Sequence, residues 1–217
     1  MKDFFRKGSL RVKICGITNP EDAQAAIDAG ADALGFNLFP GSKRHLALAD
    51  LEKWIAHIPD SVTRVAVVVN TTAEELRLLR EKAIFDAIQF HGDESPEFTT
   101  QEGGPLWIRA VRVDISSALD RALEYTTPHL LFDGFSAHEY GGTGVVPNWT
   151  AIAAFRAAQP ERQTILAGGL TPENVAEAVG LVAPHAVDVA SGVESSPGKK
   201  DLDKVVRFIR EAKSSKS

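Results

Sequence analysis

The residues with the most chemical reach stand at the ends of short, apolar, β-branched runs. Lys13-Ile14-Cys15-Gly16 sets an ammonium and a thiol two residues apart. Gln89-Phe90-His91-Gly92 ends in an imidazole and Leu131-Phe132-Asp133-Gly134 in a carboxyl group, while Asp188 runs on to Ser191-Gly192. A carboxylic acid and a thiolate can share one substrate as proton donor and proton acceptor. Their environments must then push their pKa values to opposite sides of the working pH. Lys13 beside Cys15 is expected to lower the thiol, and desolvation is expected to keep Asp133 protonated. Each residue also has a plain reading. A lone cysteine packs as a small hydrophobe, an Asp before Gly caps a loop, a core histidine is simply satisfied, and Lys13 pairs with Asp188.

A second constellation is made of glycines. Ala167-Gly168-Gly169-Leu170 and Ala190-Ser191-Gly192-Val193 each follow a predicted strand. Backbone N–H groups in such loops, next to a helix start, can cradle a phosphate. Taken singly, each is only a tight turn. Gly141-Gly142-Thr143-Gly144 lacks the spacing of a dinucleotide fingerprint and suits a lid over substrate, with Gly142 and Gly144 as contacts. Arg44, after Gly41-Ser42-Lys43, can grip a carboxylate bidentately or belong to a solvated basic loop. The six histidines show no metal-ligand spacing. Lys199-Lys200-Asp201 is read as a solvated helix entry.

Those groups need a scaffold. Strand candidates are 10–15, 33–37, 63–69, 87–90, 106–111, 129–132, 164–167 and 186–189. Helix candidates are 20–29, 48–57, 73–82, 96–102, 117–124, 149–158, 172–182 and 202–212. Asn19-Pro20-Glu21-Asp22 and Thr171-Pro172-Glu173 mark helix starts, with a capping side chain, a proline in the first turn and acids behind it. A strand followed by a helix, repeated to the end, forces parallel pairing. An even count of eight closes best into a (βα)8 TIM barrel of α/β class, whose chemistry gathers at the C-terminal ends of the strands. Period-2 alternation then puts Lys13 with Cys15, and Gln89 with His91, on the inner face.

The chain has 217 residues, of which 44% are hydrophobic, so one barrel domain over 1–217 accommodates it. Residues 1–9 read as an N-terminal extension and 213–217 as a frayed tail. With 24 Lys and Arg against 29 Asp and Glu, the formal charge is −5, which argues against a nucleic-acid partner. No apolar run approaches the roughly 18 residues of a membrane span, and the charged start lacks the apolar core of a secretory signal. A cytoplasmic protein is expected. One cysteine rules out an intrachain disulfide and any multi-cysteine zinc site.

Together, Lys13–Thr18, Gln89–Gly92, Gly141–Gly144, Leu166–Asn174 and Val187–Asp201 resemble the phosphoribosylanthranilate isomerase family of tryptophan biosynthesis, over about Leu10 to Ala212. The resemblance implies a metal-free, cofactor-free barrel, monomeric or homodimeric. Its substrate is a small phosphosugar, N-(5-phosphoribosyl)anthranilate, rearranged from aminoaldose to aminoketose. It further implies Cys15 as general base and Asp133 as general acid. Gly168, Gly169, Ser191 and Gly192 would hold the phosphate, Arg44 the anthranilate carboxylate, and Asp188 a polar contact near the ribose. Gln89 and His91 join the substrate contacts, with Lys13 supporting Cys15. Two departures stand out. Val145-Val146-Pro147-Asn148 replaces the family's usual Lys-Thr-Phe-Asp, and Ala190 replaces a frequent serine. A lyase of the same barrel group would need lysine and glutamate acid–base groups instead. A non-enzymatic phosphate-binding barrel would tolerate Cys15→Ala.

Overall fold

The computed structural model describes residues 3–5, 8–104, 106–113, 116–134 and 146–214. Eight parallel strands pair in chain order and the last pairs with the first, closing a barrel. They are β1 Arg11–Cys15, β2 Ala33–Asn37, β3 Thr63–Val68, β4 Ala87–Phe90, β5 Trp107–Val113, β6 His129–Gly134, β7 Gln163–Leu166 and β8 Ala186–Val189. The helices between them are α1 Pro20–Asp28, α2 Leu48–Leu51, α3 Ala73–Lys82, α4 Pro96–Glu102, α5 Ser116–Ala122, α6 Trp149–Ala158 and α7 Val175–Val182. A hairpin of β9 Glu194–Ser196 and β10 Lys199–Lys200 precedes α8 Leu202–Ser214.

Alternation along the strands makes two cores. Val12, Ile14, Leu34, Phe36, Leu130 and Phe132 point outward and pack with residues of α7 and α8 such as Val179 and Phe208. Val65, Ala87, Ile108, Leu131 and Ile165 point inward and pack together with Phe4 and Phe5. Residues of the expected N-terminal extension therefore sit within the barrel's own inner cluster. Phe5 is fully buried, its ring centroid 4.5 Å from that of His129 at the start of β6, and its carbonyl accepts from Gln163 Nε2 at 2.8 Å. Burial of that ring stabilises by about 2–3 kcal/mol.

Helix entries follow local chemistry. Asn19 Oδ1 accepts from the Asp22 N–H at 2.8 Å, with Pro20 in the first turn, and Thr72 forms a capping box with Glu75. Three expectations change. The helix expected over 172–182 begins only at Val175, because the Asn174 side chain turns back to accept from Thr171 N–H and donate to the Gly169 carbonyl. The helix expected over 48–57 breaks after Leu51 and resumes as a 3₁₀ turn at Ile55–His57. Between them Trp54 leaves helical geometry (φ −141°) and meets Phe36 edge-on at 5.8 Å. Finally, α8 runs through residue 213, where Lys213 Nζ donates to the Gly30 carbonyl at 2.7 Å and pairs with Asp32 at 3.2 Å. Among the described residues no helix is long and apolar enough to cross a membrane.

Candidate active site

β1, β4, β6 and β8 deliver the reactive side chains to one mouth. Cys15, Arg44, His91, Asp133 and Asp188 line a single pocket with Gly168, Gly169, Ser191 and Gly192. β6 extends two residues past its expected end, so Asp133 lies inside the ladder, in register with Arg112 of β5, rather than on a free loop. The loop at 141–144, with Gly142 and Gly144, falls outside the described residues.

Lys13 lies beneath the mouth, fully buried, its ammonium 2.8 Å from the Asp188 carboxylate. Burial opposes its charge, but Asp188 and Cys15 outweigh burial and hold its pKa above the ordinary value. Gly35 of β2 makes room for this arrangement. A Cβ there would stand 2.7 Å from Cys15 Sγ and 2.9 Å from Lys13 Nζ, distances side-chain carbons do not adopt. The expected lowering of Cys15 is not the net result. Burial, then the Asp188 charge, push the thiol above its ordinary 9.0, and the opposing pulls of Lys13 and Lys200 do not overcome them.

Asp133 is held on both oxygens. Oδ1 accepts from the Gly134 N–H at 2.8 Å, and Oδ2 faces His91 Nε2 at 3.2 Å. Gln89 does not reach the pocket. It is fully buried, with its amide nitrogen 2.8 Å from His91 Nδ1. An amide N–H donated to Nδ1 leaves Nε2 as the protonated ring nitrogen, the one turned to Asp133. Gln89, expected among the substrate contacts, lies behind the pocket lining, and its amide nitrogen orients His91.

Arg44 lines the pocket and is also paired there. Its bidentate face is already used, Nε and Nη2 donating to Glu194 Oε1 and Oε2 at 2.8 and 2.7 Å. Glu194 stays below the ordinary carboxylate range, since Arg44 and Lys200 outweigh the effect of burial. Lys200, expected to be solvated, is buried, and its ammonium lies 2.9 Å from Glu194. Two cations and one anion leave the cluster with one net positive charge. Neither Glu194 nor Lys200 announced itself in the sequence, because strands of three and two residues on either side of Pro197-Gly198 carry no readable period.

The glycine loops after β7 and β8 meet backbone to backbone. Gly168 and Gly169 take positive φ (78° and 62°). At Gly192 a Cβ would sit 1.9 Å from the Leu170 carbonyl oxygen, so only glycine lets the loops touch.

Comparison with known proteins agrees with this arrangement. The family model described as N-(5'phosphoribosyl)anthranilate (PRA) isomerase matches residues 12–211. N-(5'-phosphoribosyl)anthranilate isomerase of Neisseria meningitidis serogroup C is 46% identical over 207 residues, covering 94% of this chain and 96% of its own. The crystal structure of phosphoribosyl anthranilate isomerase from Thermotoga maritima superposes with a TM-score of 0.86 at 39% identity, covering 94% of this chain and 99% of that one. A phosphoribosyl anthranilate isomerase solved with reduced 1-(o-carboxyphenylamino)-1-deoxyribulose 5-phosphate gives 0.84 at 39% identity, with the same coverage. An acid, a thiol and paired glycine loops at one barrel mouth thus coincide with a family match along nearly the whole chain, and the chain belongs to the N-(5'-phosphoribosyl)anthranilate isomerase family of enzymes.

Proposed function

We propose that this enzyme rearranges N-(5-phosphoribosyl)anthranilate to 1-(2-carboxyphenylamino)-1-deoxyribulose 5-phosphate, with Asp133 as general acid and Cys15 as general base. The observation that carries this reading is their presence in one pocket beside the two glycine loops. Asp133 protonates the furanose oxygen while the anilinic nitrogen pushes the ring open to a protonated Schiff base. The iminium acidifies the hydrogen on C2′, and the Cys15 thiolate removes it. The resulting enolamine tautomerises to the ketone. One proton enters and one leaves, and the substrate nitrogen serves as electron sink.

The other residues bind. Gly168, Gly169, Ser191 and Gly192 offer backbone donors to the phosphate. Arg44 meets the anthranilate carboxylate with the positive charge of the cluster it forms with Glu194 and Lys200. His91 donates to Asp133 and stabilises the carboxylate left after proton transfer. Asp188 contributes near the ribose while neutralising Lys13. Phosphoribosylanthranilate made in situ should lose its anthranilate fluorescence on addition of the protein. Cys15→Ser and Asp133→Asn should each slow that loss by about 10²-fold or more. A variant turning over at the parent rate refutes its assigned role.

A further inference from the structure

Lys200 stands outside the pocket lining, yet three of its neighbours border the pocket or hold a group that does. Its side chain is entirely buried. Its ammonium donates to the Cys15 carbonyl at 2.6 Å, the Ala190 carbonyl at 3.2 Å and Glu194 Oε1 at 2.9 Å. Three N–H groups meet three acceptors, the full capacity of an ammonium. The main chain is anchored as well, because Lys200 N–H donates to Asp22 Oδ2 of α1 at 2.9 Å. Burying an ammonium costs several kcal/mol before its partners are counted. Neutralising Glu194 does not require it, since Arg44 already pairs with that carboxylate through two bonds. Two of its three bonds instead go to peptide carbonyls, one at the end of β1 and one just before Ser191.

We propose that Lys200 is a positioning residue for the reaction: its ammonium ties Cys15, the loop after β8 and the Glu194–Arg44 pair into one rigid rim. The inference rests on the acid–base reading above and extends it to a side chain behind the pocket wall. It gives the β9–β10 hairpin a task, that of carrying a cation under the junction between base and phosphate loop. The same cation favours the thiolate. The other charged or titratable groups around the thiol are Lys13 on its own strand, Asp188 from β8 and Arg44 from the loop after β2, with His91 and Asp133 across the mouth.

Lys200→Met, which keeps the stem and removes the donors, is the test, with exposed Lys199→Met as control. The full-length protein is followed by circular dichroism, by turnover of phosphoribosylanthranilate, and by the pH dependence of iodoacetamide alkylation. Cys15 is the only cysteine, so alkylation reports it alone. Lys200→Met should raise KM about tenfold or more and lower kcat. It should also move the alkylation midpoint up by about half a pH unit or more. Lys200→Gln, with two N–H donors left, should fall between. A folded Lys200→Met with parent KM, kcat and alkylation midpoint overturns the assignment. Loss of cooperative unfolding in both Lys200 variants overturns it too, by making the residue a requirement of the fold alone. Alkylation is read whether or not the parent turns over, so failure of the acid–base reading and failure of this assignment give different results.

Discussion

The two ends of the barrel solve opposite problems. At the C-terminal mouth the inner face carries Cys15, Asp133 and Asp188, with charge set against charge and backbone set against backbone. At the N-terminal floor the same alternation presents small and apolar side chains, and Phe4 and Phe5 fill the space they leave. A buried ion pair such as Lys13–Asp188 adds little net stability, because desolvation offsets its attraction. A buried aromatic ring adds stability without any chemistry. In the proposed reaction the mouth does the reacting, and the floor supplies part of the stability that the mouth does not.

Several substitutions test that division. At the mouth, Gly192→Ala forces a Cβ into the Leu170 carbonyl. It should raise KM for phosphoribosylanthranilate by about 10²-fold, at a cost of roughly 3 kcal/mol in binding. An unchanged KM would separate these loops from the phosphate. Lys13→Met leaves Asp188 buried without its cation and should lower the unfolding free energy by about 3–5 kcal/mol in urea titrations, with activity lost as well. At the floor, Phe5→Ala should lower stability by about 3 kcal/mol while kcat and KM stay at parent values below the melting transition. A kinetic effect there would show that the two ends are coupled.

Two pH effects differ in place. Burial holds His129 at about 4, against an ordinary 6.5. The unfolded chain therefore takes up the proton first as the medium is acidified. The contribution is complete above about pH 6.5 and is lost as pH falls toward 4, by at most about 3 kcal/mol. His129→Leu should flatten that part of the stability–pH curve. At the mouth, a thiol raised above its ordinary value must lose its proton to act as base, so kcat/KM should rise with pH through the neutral range. Asp188→Asn removes one cause of the raised value and should shift the rise to lower pH.

The period of two in strands such as Lys13–Cys15 and Gln89–His91 was enough to place the inner and outer faces and, with the strand–helix alternation, the barrel. The glycine pairs were legible because a residue without Cβ is informative wherever backbones meet, as Gly192 illustrates. What the sequence hid depends on distant partners. Glu194 and Arg44 lie 150 residues apart, and nothing local says that the guanidinium is already engaged. The run at 199–201 looks like a solvated charge cluster until a hairpin folds Lys200 under Cys15. Gln89 shares a face with His91, but only packing depth decides that its amide stops at the imidazole. The raised Cys15 thiol is hidden for a similar reason. Its neighbour Lys13 is visible in sequence, whereas burial and Asp188, 173 positions away, are not.

In the proposed reaction one sugar lies between Cys15 and Asp133. A crystal structure of this protein with reduced 1-(o-carboxyphenylamino)-1-deoxyribulose 5-phosphate tests it most directly. Sγ of Cys15 and the Asp133 carboxyl should each lie within about 3–4 Å of the pentose chain, with the phosphate on the N–H groups of the loops at 168–169 and 191–192. An analogue seated with its phosphate elsewhere, or with either side chain out of reach of the sugar, contradicts it.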